Sequence, residues 1–153
     1  LFHSWNNRLK NNHKLVRRDK SGGKSMWFWI TMFICNLVLP LIMVLAGYMM
    51  YKHTPKFINR IYGYRTNRSM KNMDTWKFAH DYCGKLWFKV GWILLVISVI
   101  VQLPFINSTD SIITNMTLIL EAIQICGLIV PIFIVEKALK ANFDKDGRRK
   151  TQE

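Results

Sequence analysis

The sequence predicts an all-α integral membrane protein with three transmembrane helices and an interfacial amphipathic helix in the first loop. Half of the 153 residues are hydrophobic, yet the formal net charge is +13. The two properties are separated along the chain, because residues 27–51 and 90–106 contain no Asp, Glu, Lys or Arg and residues 112–135 contain only Glu121. A helix of about 20 mostly apolar residues crosses the hydrocarbon core of a bilayer. The first and third runs meet that length, and flanking aromatic residues extend the second.

The basic residues predict the orientation of these helices. Seven Lys and Arg lie in residues 1–25, nine in residues 52–89, none in residues 107–110 and six from residue 136 onward. Basic loops stay on the cytoplasmic side of a membrane. We therefore expect residues 52–89 (the basic loop) and the C-terminal tail inside the cell. Frequent Lys, Asn and Ile suggest a bacterial source, so the expected location is a bacterial plasma membrane, multi-pass, N-out and C-in.

Residues 1–25 conflict with this layout, because seven basic residues would have to cross the membrane. Met26 immediately precedes the first span, and the codons for the preceding residues "SGGKS" can contain a ribosome-binding sequence. We therefore expect the native start at Met26, with residues 1–25 as a basic leader outside the membrane domain of residues 26–150. A cleaved signal peptide is the alternative, although the apolar run is long for one.

The basic loop divides into two parts. Residues 53–72 are rich in Pro, Gly, Asn and Arg, which predicts irregular structure. Residues 74–89 have a helical period that places Trp76 and Cys83 on an apolar face and His80 with the lysines on the polar face. Such a helix can lie in the headgroup layer with its lysines toward anionic lipid. It either only leads into the second span or forms part of a binding platform.

A short motif in this loop suggests a family. "GYRT" at residues 63–66 is followed by Ser69, Asn72, Trp76 and Ala79 and then by an apolar span. This combination resembles the signature of the SdpI family of bacterial membrane proteins, and the resemblance covers residue 26 to about residue 150. It implies a non-enzymatic protein that gives immunity to a membrane-active toxic peptide and holds a repressor protein at the membrane. The chain resembles only the C-terminal portion of the founding immunity protein, which has an additional membrane domain.

The motif residues suit a small binding site. Gly63 permits a tight turn, and Arg65 offers forked donors for a carboxylate or phosphate. The hydroxyl and amide side chains can hydrogen-bond to backbone groups, and the aromatic ones suit a membrane interface. Either the loop binds an anionic group at the mouth of the bundle, or its polar groups satisfy one another. The candidate binding residues are Gly63, Tyr64, Arg65, Thr66, Ser69, Asn72 and Trp76.

A second candidate site lies inside the membrane. Glu121 shares a helical face with Gln124, and Asn36 lies at a similar depth in the first helix. Polar residues inside membranes usually face the protein interior and often mark a function. We expect Asn36, Glu121 and Gln124 to form a polar cluster, which in a small transporter or channel subunit would be a proton or ligand site. Alternatively, the third helix begins near Leu118 and Glu121 lies at the outer interface.

Other chemistry is not indicated by the sequence. The three cysteines have neither metal-ligand nor disulfide spacing, and no catalytic triad or phosphate-binding glycine loop is present. We therefore expect no enzymatic activity, metal or cofactor. The basic stretches flank spans, so the lipid bilayer is a better partner than nucleic acid. A small bundle with polar residues also predicts a homo-oligomer or a partner membrane protein, and a ligand-free scaffold is the remaining alternative.

Overall fold

The computed structural model describes residues 2–59, 61 and 63–150, with side chains from residue 26 onward. Over this part of the chain the architecture is helical. A 3₁₀ turn, Leu103–Phe105, directly follows the second helix. The three long helices are α1 (Phe2–Lys52), α2 (Met73–Gln102) and α3 (Asp110–Asn142).

Three helical segments are long and apolar enough to cross a membrane: Met26–Lys52 of α1, Met73–Phe105 (α2 with the 3₁₀ turn) and Asp110–Asn142 (α3). The predicted fold class, with three transmembrane helices, is therefore confirmed. The proposed leader forms the N-terminal part of α1 from Phe2 onward, but Leu1 and the leader's side chains lie outside the described residues. The start at Met26 stays a prediction.

Helices α1 and α2 form the largest contact between helices, and glycines bring their backbones together. A Cβ atom on Gly47 would lie 2.5 Å from the amide nitrogen of Phe88, and one on Gly84 would lie 2.6 Å from the amide nitrogen of Tyr51. In lipid, helices attract one another through dispersion contacts rather than through the hydrophobic effect. Small residues let the backbones approach closely, which increases these contacts. Gly47 and Gly84 therefore determine the distance between α1 and α2.

The predicted amphipathic helix is present, as the first part of α2. This helix begins at Met73 and continues without a break into the second span. Its N-terminus is capped by Asn72, whose Oδ1 accepts the backbone N–H groups of Asp74 and Thr75 at 3.1 and 2.9 Å. The Thr75 hydroxyl in turn accepts the backbone N–H of Asn72 at 3.2 Å, which completes a capping box.

The apolar face of this segment contacts protein rather than lipid headgroups. Trp76, Ala79 and Cys83 are fully buried, and the last two belong to a core cluster that includes Tyr64. The placement of His80 on the polar face was wrong, because this residue is also fully buried. Its ring lies 4.1 Å from the Trp76 ring, one helical turn away, and both of its nitrogens have hydrogen-bond partners.

Candidate functional site

The intramembrane polar cluster joins two of the three expected residues. Asn36 and Gln124 are fully buried, and Nε2 of Gln124 donates to the main-chain carbonyl of Asn36 at 2.9 Å. Nδ2 of Asn36 donates to Oε1 of Gln102 at 3.1 Å and to the Thr117 hydroxyl at 3.3 Å. Glu121 is partly exposed and has no hydrogen bond or ion pair within the described residues. Gln102 therefore occupies the place in the cluster that we had expected for Glu121.

Pro40 explains the hydrogen bond between Gln124 and the Asn36 carbonyl. In a regular α-helix the N–H of residue 40 would donate to the carbonyl of residue 36, but proline has no N–H. Gln124 supplies the missing donor from α3, and its amide also reaches the Ser98 hydroxyl of α2 at 2.8 Å. An unsatisfied backbone carbonyl in lipid costs several kcal/mol. The cluster thus connects all three helices around the proline.

This explanation predicts an energetic coupling between Pro40 and Gln124. Gln124→Leu should lower the free energy of unfolding by about 1–3 kcal/mol, because it leaves the Asn36 carbonyl without a donor. In a Pro40→Ala background the alanine N–H can satisfy that carbonyl, so the same change should cost on the order of 1 kcal/mol less. Denaturant titration of the four variants in mixed micelles measures the coupling. Equal costs in both backgrounds would contradict the explanation.

The GYRT motif folds back onto the start of α2. Gly63 has a φ angle of +105°, a region that glycine adopts readily, and a Cβ atom there would lie 1.9 Å from Nε2 of His80. The following N–H, of Tyr64, donates to that Nε2 at 3.1 Å. The other ring nitrogen, Nδ1, lies 2.8 Å from the carbonyl of Trp76. His80 is therefore assigned as the neutral tautomer with its proton on Nδ1.

The side chain of Tyr64 attaches the motif to α3. Its hydroxyl lies 3.2 Å from the carbonyl of Ile132 and 3.1 Å from Oε1 of Glu136. Burial, and then the negative charge of Glu136, raise the pKa of the Tyr64 phenol well above its usual range. The hydroxyl therefore stays a donor. Glu136 also faces Arg68, with 4.0 Å between Oε2 and Nε.

The small polar residues of the motif loop (residues 63–72) hydrogen-bond to one another and to the backbone. The N–H of Thr66 donates to the Ser69 hydroxyl at 2.8 Å, and the N–H of Ser69 donates to the Thr66 hydroxyl at 3.2 Å. The Ser69 hydroxyl also lies 2.9 Å from the carbonyl of Tyr64. These hydroxyl groups hold the turn in shape, which is the self-satisfied arrangement that the sequence left open.

Asn72 connects the motif loop to the C-terminal end of the chain. Besides capping α2, its Nδ2 donates to the carbonyl of Gly147 at 2.7 Å. Gly147 lies in a tight turn with a φ angle of +82°, closed by an antiparallel bridge between Phe143 and Arg149. The basic loop and the tail therefore lie at the same end of the bundle, as expected for segments that are separated by two spans.

Trp76 lies beneath the loop rather than at the membrane surface. It is fully buried, and its Nε1 donates to the carbonyl of Pro55 at 3.2 Å. Pro55 belongs to the irregular segment before the motif. Trp76 therefore supports the loop from below and is not available to a ligand.

A cavity of about 370 Å³ remains between the motif and the three helices. This volume falls within the range of about 300–1,000 Å³ that is typical of ligand pockets. Arg65 is exposed, and the indole N–H of Trp87 is shielded without a hydrogen-bond partner in the described part of the chain. The cavity (the motif cavity) is lined by Ala46, Met50, Gly63, Tyr64, Arg65, Thr66, Trp87 and Ile132.

Sequence comparison relates this arrangement to known proteins. The sequence model of the SdpI/YfhL protein family matches residues 56–135, just over half of the chain. The matched segment contains the motif loop, all of α2 and most of α3. The chain belongs to the SdpI/YfhL protein family.

A curated relative of this SdpI/YfhL chain is "Uncharacterized protein YfhL" from Bacillus subtilis (strain 168). The two sequences are 26% identical over 99 residues, which cover 65% of this chain and 80% of the relative. No solved structure matches the chain. The comparisons therefore establish the family, while the printed name of the relative assigns no activity.

Two residues of this SdpI/YfhL chain were missed by sequence reasoning. His80 follows Trp76 by four residues and precedes Cys83 by three, so helical spacing alone places it on the same face as both. Gln102 is an uncharged polar residue inside the second apolar run, and the criterion that selected Asn36 also applies to it. Both signals were present in the sequence, but neither residue belonged to the motif.

Proposed function

We propose that the protein protects a bacterial cell against a membrane-active toxic peptide from within the plasma membrane. The observation that carries this proposal is the position of the family match. Residues 56–135 include the motif loop, and six of the eight residues that line the cavity at one end of the bundle fall within this range. Four of the seven candidate binding residues line that cavity: Gly63, Tyr64, Arg65 and Thr66. The other three hold the loop and α2 in place.

The proposed layout puts the motif loop and the C-terminal tail on the cytoplasmic side, with the start of the membrane domain outside. Two observations support it: the hydrogen bond from Asn72 to Gly147, and the concentration of Lys and Arg in these two segments. Labelling of a cysteine placed at the exposed residue Lys77, by a reagent that does not cross the membrane of intact cells, would contradict this layout.

We also propose that this cytoplasmic end recruits a repressor protein. Exposed basic side chains on the first turns of α2 and on the C-terminal turn, among them Lys77, Lys145 and Arg149, form a surface suited to an acidic partner. Their positive charge supports recruitment and does not identify the partner.

A transporter or channel subunit is the second candidate function. It is favoured by one observation: Asn36 Oδ1 and Gln124 Oε1 are buried acceptors that have no donor among the described residues. A ligand with N–H groups, or a cation, would satisfy them. The absence of a hydrogen bond from Glu121 to the cluster makes a proton path less well supported than immunity.

Growth under toxin tests the immunity proposal. Expression of the chain in a strain sensitive to a secreted membrane-active peptide should restore growth, and Arg65→Ala should reduce the protected concentration at least about tenfold if a charge-assisted hydrogen bond is lost. Arg148→Ala, an exposed arginine on the C-terminal turn, is the matched control and should protect fully. Membrane levels of each variant are compared by immunoblot. If expression of the wild-type chain protects none of the peptide-sensitive strains, the proposal is rejected.

A further inference from the structure

The motif cavity has walls of two chemical kinds. Ala46, Met50 and Ile132, from α1 and α3, form an apolar wall together with the ring of Trp87. The rest of the lining comes from the motif and includes the guanidinium-bearing Arg65 and the hydroxyl-bearing Thr66. A well-fitting occupant therefore combines an apolar part with a polar or anionic part.

Among the described residues that line this cavity, Arg65 carries the charge. Arg65 is exposed, and its guanidinium has five N–H donors in a fork that matches phosphate geometry, so it can hold an anion in addition to another acceptor. Glu136, an acid that contacts the motif loop, is already engaged with the Tyr64 hydroxyl and with Arg68. An anionic head group is therefore favoured over a cationic one.

We propose that the motif cavity binds one anionic phospholipid, with the phosphate at Arg65 and the first part of an acyl chain against Met50, Trp87 and Ile132. The apolar wall is built from spanning helices, and the polar wall is built from the loop that joins two of them. The cavity thus lies where head groups meet acyl chains, a level at which basic residues attract anionic lipid. The cavity volume accommodates only part of a lipid, so the remaining chains extend into the bilayer.

A lipid explains both walls better than the other occupants do. A soluble phosphate would use Arg65 and leave the apolar wall without contact. A peptide carboxylate has the right charge, but a lipid is permanently present at this level of the bilayer. The inference does not depend on the immunity proposal, because it is measured on purified protein without any toxin.

Binding to the purified full chain in a neutral detergent tests the proposal. Short-chain phosphatidylglycerol is titrated against short-chain phosphatidylcholine, inorganic phosphate and N-acetyl-leucine, the last as a probe for a peptide carboxylate, and complexes are counted by native mass spectrometry. Phosphatidylglycerol should bind about tenfold or more tightly than the other three. It has acyl chains, which inorganic phosphate and N-acetyl-leucine lack, and a net negative charge, which the choline of phosphatidylcholine neutralises.

Site variants decide where the lipid binds. Arg65→Ala should remove most of the preference for phosphatidylglycerol, Arg65→Lys should retain part of it because the charge remains without the fork, and Ala46→Leu should weaken binding of both lipids by filling the apolar wall. Arg148→Ala is the control and should bind as the wild type does. Equal binding of the two lipids, unchanged binding in both Arg65→Ala and Ala46→Leu, or tighter binding of phosphate or N-acetyl-leucine than of phosphatidylglycerol would each overturn the proposal.

Discussion

Gly84→Leu is expected to separate α1 from α2 and to lower the free energy of unfolding by more than about 3 kcal/mol. Even the first carbon of a side chain at residue 84 would lie 2.6 Å from the amide nitrogen of Tyr51 and 2.7 Å from the carbonyl oxygen of Gly47. These neighbours are backbone atoms, so no rotamer change relieves the overlap. Overpacking against a rigid contact costs about 1–3 kcal/mol for small additions, and leucine adds four carbon atoms.

Gly127→Leu on α3 is the matched control for this prediction. A Cβ atom there would also come close to a neighbour, but that neighbour is Cδ1 of Leu94 at 2.7 Å, the far end of a flexible side chain. Gly84→Ala and Gly127→Ala extend the comparison, and Gly127→Ala should cost little because alanine also favours the helix by about 1 kcal/mol. Denaturant titration in mixed micelles gives the four free energies. Similar losses at residues 84 and 127 would show that backbone contact does not hold α1 and α2 together.

The contrast between these glycines shows what the sequence could predict about the fold. The charge-free runs predicted the three spans. A charged residue is costly to place in lipid whichever helix packs beside it, so spans can be recognised from composition. An asparagine directly before an amphipathic period is a typical helix cap, and Asn72 has this role in the structure. The importance of Gly47 and Gly84 was not identifiable, because it depends on which face of α1 meets which face of α2. Two glycines in different spans carry no signal of facing each other.

The candidate site was predictable to a similar extent. The GYRT motif indicated residues 63–66 as candidate binding residues, and these residues line the motif cavity. The cavity itself required Ile132 of α3 to approach a loop almost 70 residues earlier, and local sequence patterns do not report such contacts. The incorrect placement of Glu121 in the polar cluster has a related cause. Depth in the membrane follows from counting residues along a helix, but the rotation of the helix about its axis depends on packing.

The second large effect is expected from Gly63→Ala, which should cost about 3 kcal/mol and release the motif from α2. Two penalties combine at this position. A positive φ angle is unfavourable for a residue with a Cβ atom, by roughly 1–2 kcal/mol, and the Cβ atom would overlap Nε2 of His80 at 1.9 Å. The ring cannot move aside easily, because it is fully buried and its Nδ1 is held by the Trp76 carbonyl. Hydrogen exchange of the Tyr64 amide, which donates to His80, should become faster in step with the loss of stability.

A double-mutant cycle with His80→Ala separates the two penalties. Removing the ring removes the steric overlap but leaves the backbone conformation of residue 63 unchanged, so Gly63→Ala in the His80→Ala background should cost only the roughly 1–2 kcal/mol of the φ angle. His80→Ala alone should also destabilise the protein, because the Tyr64 N–H loses its acceptor. If Gly63→Ala were equally costly with and without the ring, the contact between motif and histidine would not be what positions residues 63–66. The motif cavity would then have to be shaped by the contacts that do not involve the histidine, such as the bonds of Tyr64 to α3.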